Sequence, residues 1–250
     1  DEAVCERWLE NPYWQFFTGE VFFQTTLPCD PSSLTRWRQR LGEAGMEELL
    51  AQTINAAKAM KAVDVRELSR VIVDSTVQEK AIAHPTDSRL LEVARRKLVM
   101  RCKRHGLTLR QSYEREGPSL SRQAGRYAHA KQFKRMRRVL RRQRTLLGRV
   151  IRDIVRKLQT LEDTAQPQMR GWLERAERLW RQRPKDKHKL YALHAPEVEC
   201  IGKGKARRPY EFEVKVGIAV TAKKGLIVGA RRFPGNPYDG DTLSEQLEQA

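Results

Sequence analysis

The sequence predicts an α/β protein: a mixed sheet whose first strand is followed by a large basic helical insertion, with a helical module ahead of both. Three observations predict it. Residues 133–161 carry apolar side chains at helical spacing amid dense positive charge. Residues 198–201, 211–221 and 226–233 switch to β-branched, partly alternating texture. Far upstream of these strands, Val71, Ile72 and Val73 form an isolated β-branched run that ends on one acid, Asp74.

Residues 1–66 read as an N-terminal helical, helix-turn-helix-like DNA-binding module. Asp30 is placed to cap a helix and Pro31 suits its first position. Leu34, Trp37 and Leu41 are expected to face a core while Arg36, Arg38 and Arg40 face away, until Gly42 ends the helix. Further helices at about 1–10 and 46–60 would complete a small bundle that offers the short basic helix to a major groove. The aromatic group Tyr13, Trp14, Phe16 and Phe17 is expected to form the core of this bundle rather than a base-stacking platform.

Residues 67–250 are expected to form the second domain, with Asp74 at the end of its first strand and the helical insertion at about 88–184. Between residues 95 and 160 stand 22 Lys or Arg against 3 acids, a local charge of +19, which leaves 27 basic and 28 acidic residues elsewhere. Clustered cations neutralise neighbouring phosphates and release their counterions together, so this segment is the expected electrostatic footprint of a polyanion. Phe133, Leu140, Leu147, Ile154 and Leu161 recur every seven residues, and Met136, Val150, Ile151 and Leu158 widen the stripe. An interruption at Gln166, Pro167 and Gln168 and a second stripe from Met169 through Trp172, Leu173, Ala176, Leu179 and Trp180 predict an antiparallel helical hairpin ending before Pro184. The few interleaved acids favour phosphate contact over a merely solvated face for the run Arg137, Arg138, Arg141, Arg142 and Arg144, of which the first four are the expected DNA-binding residues.

In the downstream sheet, Phe212, Val214, Val216 and Ile218 alternate as a half-buried strand does, and Lys223, Lys224 and Gly225 supply a turn into the next strand. Between strands, Lys203, Lys205, Arg207 and Arg208 lie in a glycine-basic loop suited to a phosphate backbone; it lacks the spacing of a nucleotide-binding P-loop. His188, His194 and Cys200 fit no zinc spacing, and the four cysteines form no C-x-x-C pair. No apolar run approaches the roughly 20 residues of a spanning helix, and no signal peptide opens the chain, so a soluble, intracellular protein is expected. The opening at Asp1 without an initiator Met reads as a piece of a longer protein. A carboxylate fixed by a strand suits a hard divalent cation, but the residues leave open an ordinary turn aspartate at Asp74, since one acid does not make a metal site.

Several long strings in order carry a resemblance that covers nearly the whole chain: residues 1–23, 33–41 (SLTRWRQRL), 71–80 (VIVDSTVQEK), 85–88, 194–216 (HAPEVECIGKGKARRPYEFEVKV) and 234–243 (PGNPYDGDTL). In these the sequence resembles bacterial insertion-sequence transposases of the DDE type, whose catalytic core is similar to ribonuclease H. The resemblance implies a ribonuclease H-like sheet, metal-dependent DNA cleavage and strand transfer with Mg2+ or Mn2+, binding of double-stranded DNA at terminal repeats and target sites, and self-association. It makes Asp74 the first acid of the metal-binding triad. The later D-K-G-Y context and the acidic helix of the family do not occur before Ala250, so the implied core is incomplete, and the alternative reading is a non-catalytic DNA-binding remnant or regulator of transposition. Asp239 and Asp241 fall in a turn that precedes the second acid in the family pattern, with Asp241 where His is commoner, and take no catalytic role.

Overall fold

The computed structural model describes residues 2–80, 82–202 and 210–249. It is a mixed α/β protein with eight α-helices and a small four-stranded sheet among the described residues. Contacts divide it into two compact units, Asp1–Val73 with Ile218–Ala230 and Gln246–Ala250, and Asp74–Gly217 with Arg231–Glu245.

In the first unit, α1 (Glu2–Glu10) buries Cys5 and Trp8, and α2 (Pro12–Phe17) is opened by Asn11, whose Oδ1 accepts from the Tyr13 amide at 2.9 Å. Gln15 organises the turn that follows: its Oε1 accepts from the Gln24 amide at 2.7 Å and its Nε2 donates to Gln24 O at 3.0 Å and Leu9 O at 3.2 Å. With that polar residue turned inward at 2% exposure, the aromatic residues around it turn outward: Tyr13 is 82% and Phe17 89% exposed. They are not the core of a bundle.

The helix α3 (Pro31–Ala59) starts as expected, with Asp30 Oδ1 accepting from the Ser32 amide at 2.8 Å. Gly42, at φ +67° and ψ −167°, breaks it internally, a conformation open to glycine because it has no Cβ. The second helical stretch therefore begins directly after Gly42, ahead of the expected residue 46. No residue of α3 is buried, so Leu34, Trp37 and Leu41 do not face a core as expected; Trp37 is 46% exposed.

The sheet consists of β1 (Val71–Glu79), β2 (Glu199–Gly202), β3 (Tyr210–Thr221) and β4 (Ile227–Phe233), with β3 pairing with each of the others. β2 runs antiparallel to β3, Cys200 opposite Phe212. Ala222 N donates to Arg70 O at 3.1 Å, which sets the beginning of β1 beside the end of β3. The turn into β4 closes through Thr221 N to Leu226 O at 2.9 Å, with Gly225 at φ +66°. β1 continues five residues beyond Asp74, because Ser75, Thr76 and Val77 sustain the extended pairing; Asp74 is therefore inside the strand, not at its end.

The second unit holds the basic insertion, and it is larger than a hairpin. Ahead of α6 (Phe133–Lys157) and α7 (Gln166–Arg181) stand α4 (Asp87–Arg104) and α5 (Glu116–His129), all packed around one apolar core. Leu147, Val150, Ile154, Met169, Leu173 and Ala176 lie deep in it, as the two stripes predict, while Phe133 at the open end of α6 is exposed. Pro167 does not interrupt a helix; it sits in the first turn of α7, where a missing N–H costs nothing, and the break lies earlier. Trp180 meets α6 near Arg144 and Gly148, which makes α6 and α7 antiparallel: its indole N–H donates to Arg144 O at 3.0 Å.

Gly148 sets how closely these helices approach, since a Cβ there would lie 2.8 Å from Trp180 Nε1 and 3.0 Å from Cε2. Gly148→Ala is therefore expected to destabilise the bundle by roughly 1–3 kcal/mol through overpacking. Gly125→Ala in α5, where a Cβ meets nothing within 4 Å, should stabilise by about 0.5–1 kcal/mol. Urea unfolding followed by helical circular dichroism reads both; equal shifts would show that Gly148 is not a packing residue.

Candidate nucleic-acid interface

The candidate site is built on α6. Its helical period sends the apolar stripe into the core and the charge outward, with eleven Lys or Arg and one acid, Asp153, in 25 residues. Asp153 is turned inward and buried, where it accepts from the Arg110 amide at 2.8 Å, Arg156 at 3.2 Å and Lys157 at 3.4 Å. Burial alone would raise its pKa, but those donors outweigh burial and hold it below the usual carboxylate value. The acid thus anchors the loop after α4 and leaves the middle of the outer face of α6 uncompensated.

Clefts open along this face, and two of them are described by their charge. One, of about 470 Å3, is lined by Arg144, Arg152, Trp180, Arg181 and Arg183, with no carboxylate in its lining. The other, of about 410 Å3, places Lys134, Arg137 and Arg141 beside Arg144 and Arg183 and includes one acid, Asp87. Arg144 is held in place: its Nη1 donates to Trp180 O at 2.8 Å and its Nη2 stands 4.0 Å from Asp87.

The four arginines expected on α6 divide. Arg137, Arg138 and Arg141 are exposed and form no ion pair among the described residues. Arg142 instead grips Glu116 of α5 with bonds of 2.6 and 2.9 Å; that hydrogen bond lowers the Glu116 pKa and raises that of Arg142. Its role is to fasten α5 to α6. Sequence reading weighed Arg144 on this face without counting it among the DNA-binding residues, and it missed Arg152, four residues beyond Gly148 on the helical period. Arg183 has no such signal, because it reaches the cleft only through the packing of α7 on α6.

In the first unit, Arg36, Arg38 and Arg40 are all exposed on α3, and Arg36 donates to Ser32 Oγ at 2.9 Å. Arg36 and Arg40 are four apart and share a helix face; Arg38, two residues from each, points about 200° away. Lys203, Lys205, Arg207 and Arg208 lie outside the described residues.

Asp74 lies on the exposed face of β1 with Ile72, Thr76 and Gln78, while Val71, Val73, Ser75 and Val77 alternate to the half-buried face. On that second face Ser75 Oγ donates to Asp239 Oδ1 at 2.6 Å, and Lys215, itself 8% exposed, pairs with the same carboxylate and donates to Pro237 O at 2.5 Å. The Lys215 hydrogen bond, then that of Ser75, hold the Asp239 pKa below its usual value. Asp239 opens the helix α8 (Asp239–Gln249) rather than lying in a turn, and its partners turn it away from Asp74. Asp241 is exposed in the first turn of α8. Among the described residues no three His, Cys, Asp or Glu side chains gather as a metal site requires.

No family model and no solved structure matches the chain. Over 133 residues, 53% of its length, it is 54% identical to an uncharacterised protein of Rhizobium meliloti, ORF8 in the nfe locus. The matched stretch covers 64% of that relative, so the chain spans less than two thirds of it.

The Asp153 anchor has a measurable consequence. Asp153→Asn keeps the shape but loses the charge, and should cost roughly 1.5–3 kcal/mol, the range for hydrogen bonds to charged groups. Because the folded-state pKa is depressed, the stabilisation is fully present above the ordinary aspartate value of about 3.9 and is lost as pH falls through the lower folded value. Stability of the Asn variant should therefore decline less steeply with acid than that of the natural chain; parallel acid unfolding curves would refute the assignment.

Proposed function

We propose that the chain binds duplex DNA through the outer face of α6, as part of an insertion-sequence transposase of the DDE type. The observation that supports this is the one-sided charge of α6, whose sole acid is buried and whose larger cleft is lined by four arginines without a carboxylate. At 1.5 Å per residue the helix is about 37 Å long, close to one turn of duplex, so its cations can face successive phosphates of one groove edge. An anionic bilayer is the competing polyanion. It is disfavoured because an interfacial helix must insert its apolar face, and that of α6 is buried in the bundle. Among the described residues no helix is long and apolar enough to cross a membrane.

The transposase reading draws on the quoted sequence resemblance, and the placement of the helical bundle between β1 and β2 fits the insertion that reading expects. A ribonuclease H-like core, terminal repeats and target DNA as ligands, and self-association belong to the same proposal. The metal that the family implies, Mg2+ or Mn2+, does not fit the described residues. Asp74 stands on an open strand face without clustered acids, and the Asp239 carboxylate is neutralised by Lys215. No cleavage step is assigned to the chain as it stands, and DNA binding without catalysis is the activity these residues support.

Replacing Arg137, Arg138, Arg141 and Arg152 by Glu is expected to weaken duplex binding at least tenfold and to flatten the dependence of log affinity on log salt by about three to four, near 0.9 per lost phosphate contact. Arg142→Glu should mainly lower the melting temperature instead, through loss of Glu116. Unchanged affinity and salt slope in the folded quadruple variant would sink the proposal. In strand-cleavage assays with Mg2+ or Mn2+ the 250-residue chain should neither nick nor join a terminal-repeat duplex, and Asp74→Ala should leave its DNA affinity within about twofold, because that carboxylate contributes no phosphate contact.

A further inference from the structure

A second cationic feature stands where α4 and α7 pack together. The Arg101 guanidinium carbon lies 3.5 Å from the centroid of the Trp172 ring, and that of Arg175 lies 5.1 Å away. Both distances are within the range in which an aromatic quadrupole holds a cation. Trp172 is fixed in turn by its contact with the apolar core. Arg101, Arg104 and Arg175 form no ion pair among the described residues, whereas Arg95 and Arg142 of the same bundle are each paired with a glutamate. The Arg101 Nε is buried without a hydrogen-bond partner, and Arg175 spends one N–H on Leu193 O at 3.4 Å. Burial, then the charges of Arg104 and Arg175, lower the pKa of Arg101, so the cations repel one another where they stand.

We propose that Arg101 and Arg175, gathered on Trp172, form a phosphate-binding site distinct from the α6 face. A guanidinium held over an indole face has its orientation restrained, and its free N–H groups lie in the guanidinium plane, the geometry that grips two oxygens of an oxyanion. Two guanidiniums over one ring suit a group with distributed negative charge and three or four oxygens better than a planar carboxylate with two. The phosphate can be free or part of a nucleic-acid backbone; both present the same oxygens.

The test reads the Arg101 side-chain Nε–Hε resonance by NMR on the intact chain, assigned by its disappearance in Arg101→Lys. Inorganic phosphate, acetate and a short DNA duplex are titrated separately. A saturable shift with inorganic phosphate and none with acetate supports the site, and a shift with the duplex assigns its ligand to the backbone; a duplex response alone supports a phosphodiester. Arg175→Gln should weaken the phosphate response by about tenfold, as expected for losing one charge-assisted bond. The α6 quadruple Glu variant should keep the inorganic phosphate response, so that failure of the α6 reading and failure of this site are read apart. No shift with either phosphate or duplex overturns the site, as does an equal shift with acetate or loss of the phosphate response in the folded α6 variant.

Discussion

The bundle of the second unit depends on one constraint: α6 must bury a continuous apolar stripe while carrying eleven cations. Burying an unpaired charge costs far more than packing returns, so every exposed guanidinium has to leave on the same side of the helix. The stripe from Val139 through Leu147, Val150 and Ile154 meets α4, α5 and α7, and that enclosure concentrates the positive field on what remains. The same packing forms the larger cleft. Gly148 admits the Trp180 ring against the α6 backbone, and Trp180 and Arg144 bind each other's main chain, so the wall of the cleft is also a joint between helices.

Several of the groups that bring charge or polarity into the interior carry their own satisfaction. Asp153 is met by an amide and two cations. Arg95, 3% exposed, is gripped by both oxygens of Glu92 and donates to Ser112 O at 2.6 Å, with Gly117 leaving room for the pair. Gln182 holds the segment after α7 in the same manner, its Oε1 accepting from Leu190 N at 2.9 Å and its Nε2 donating to Leu190 O. Gln15 does this in the first unit. Each of these groups pins a loop to a helix, which is what keeps connections between helices defined where few apolar side chains are at hand.

The parts of the fold that were legible in the sequence are those in which hydrophobic period and burial coincide. The three downstream strands were placed to within a residue or two because β-branched residues alternate there, whereas β1 runs five residues past its expected end; the α6 and α7 stripes were placed because Leu147, Ile154, Met169 and Leu173 are turned to the core. α4 and α5 were not resolved as separate helices, since their charged residues mask the small apolar faces that a loop between them divides. Aromatic content misled around Tyr13 to Phe17: a six-residue helix has one inward position, and Gln15 takes it. For the candidate site, the charge of α6 was visible but not its apportionment. That Arg142 is spent on Glu116 while Arg183 joins a cleft is settled by contacts between residues 26 or more positions apart, which no local pattern encodes.

β1 separates two acid chemistries by one residue. Asp74 faces outward, and its neighbour Ser75 faces the carboxylate of Asp239, which Lys215 has already neutralised. Because strand side chains repeat every two residues, replacing either residue alters one face only, whereas adding or removing a single residue between Arg70 and Asp74 exchanges the faces of everything beyond it. Substitution should therefore be tolerated along this strand far better than any change of its length, and a viable variant with an altered residue count there would need a compensating bulge to return Asp74 to the open side.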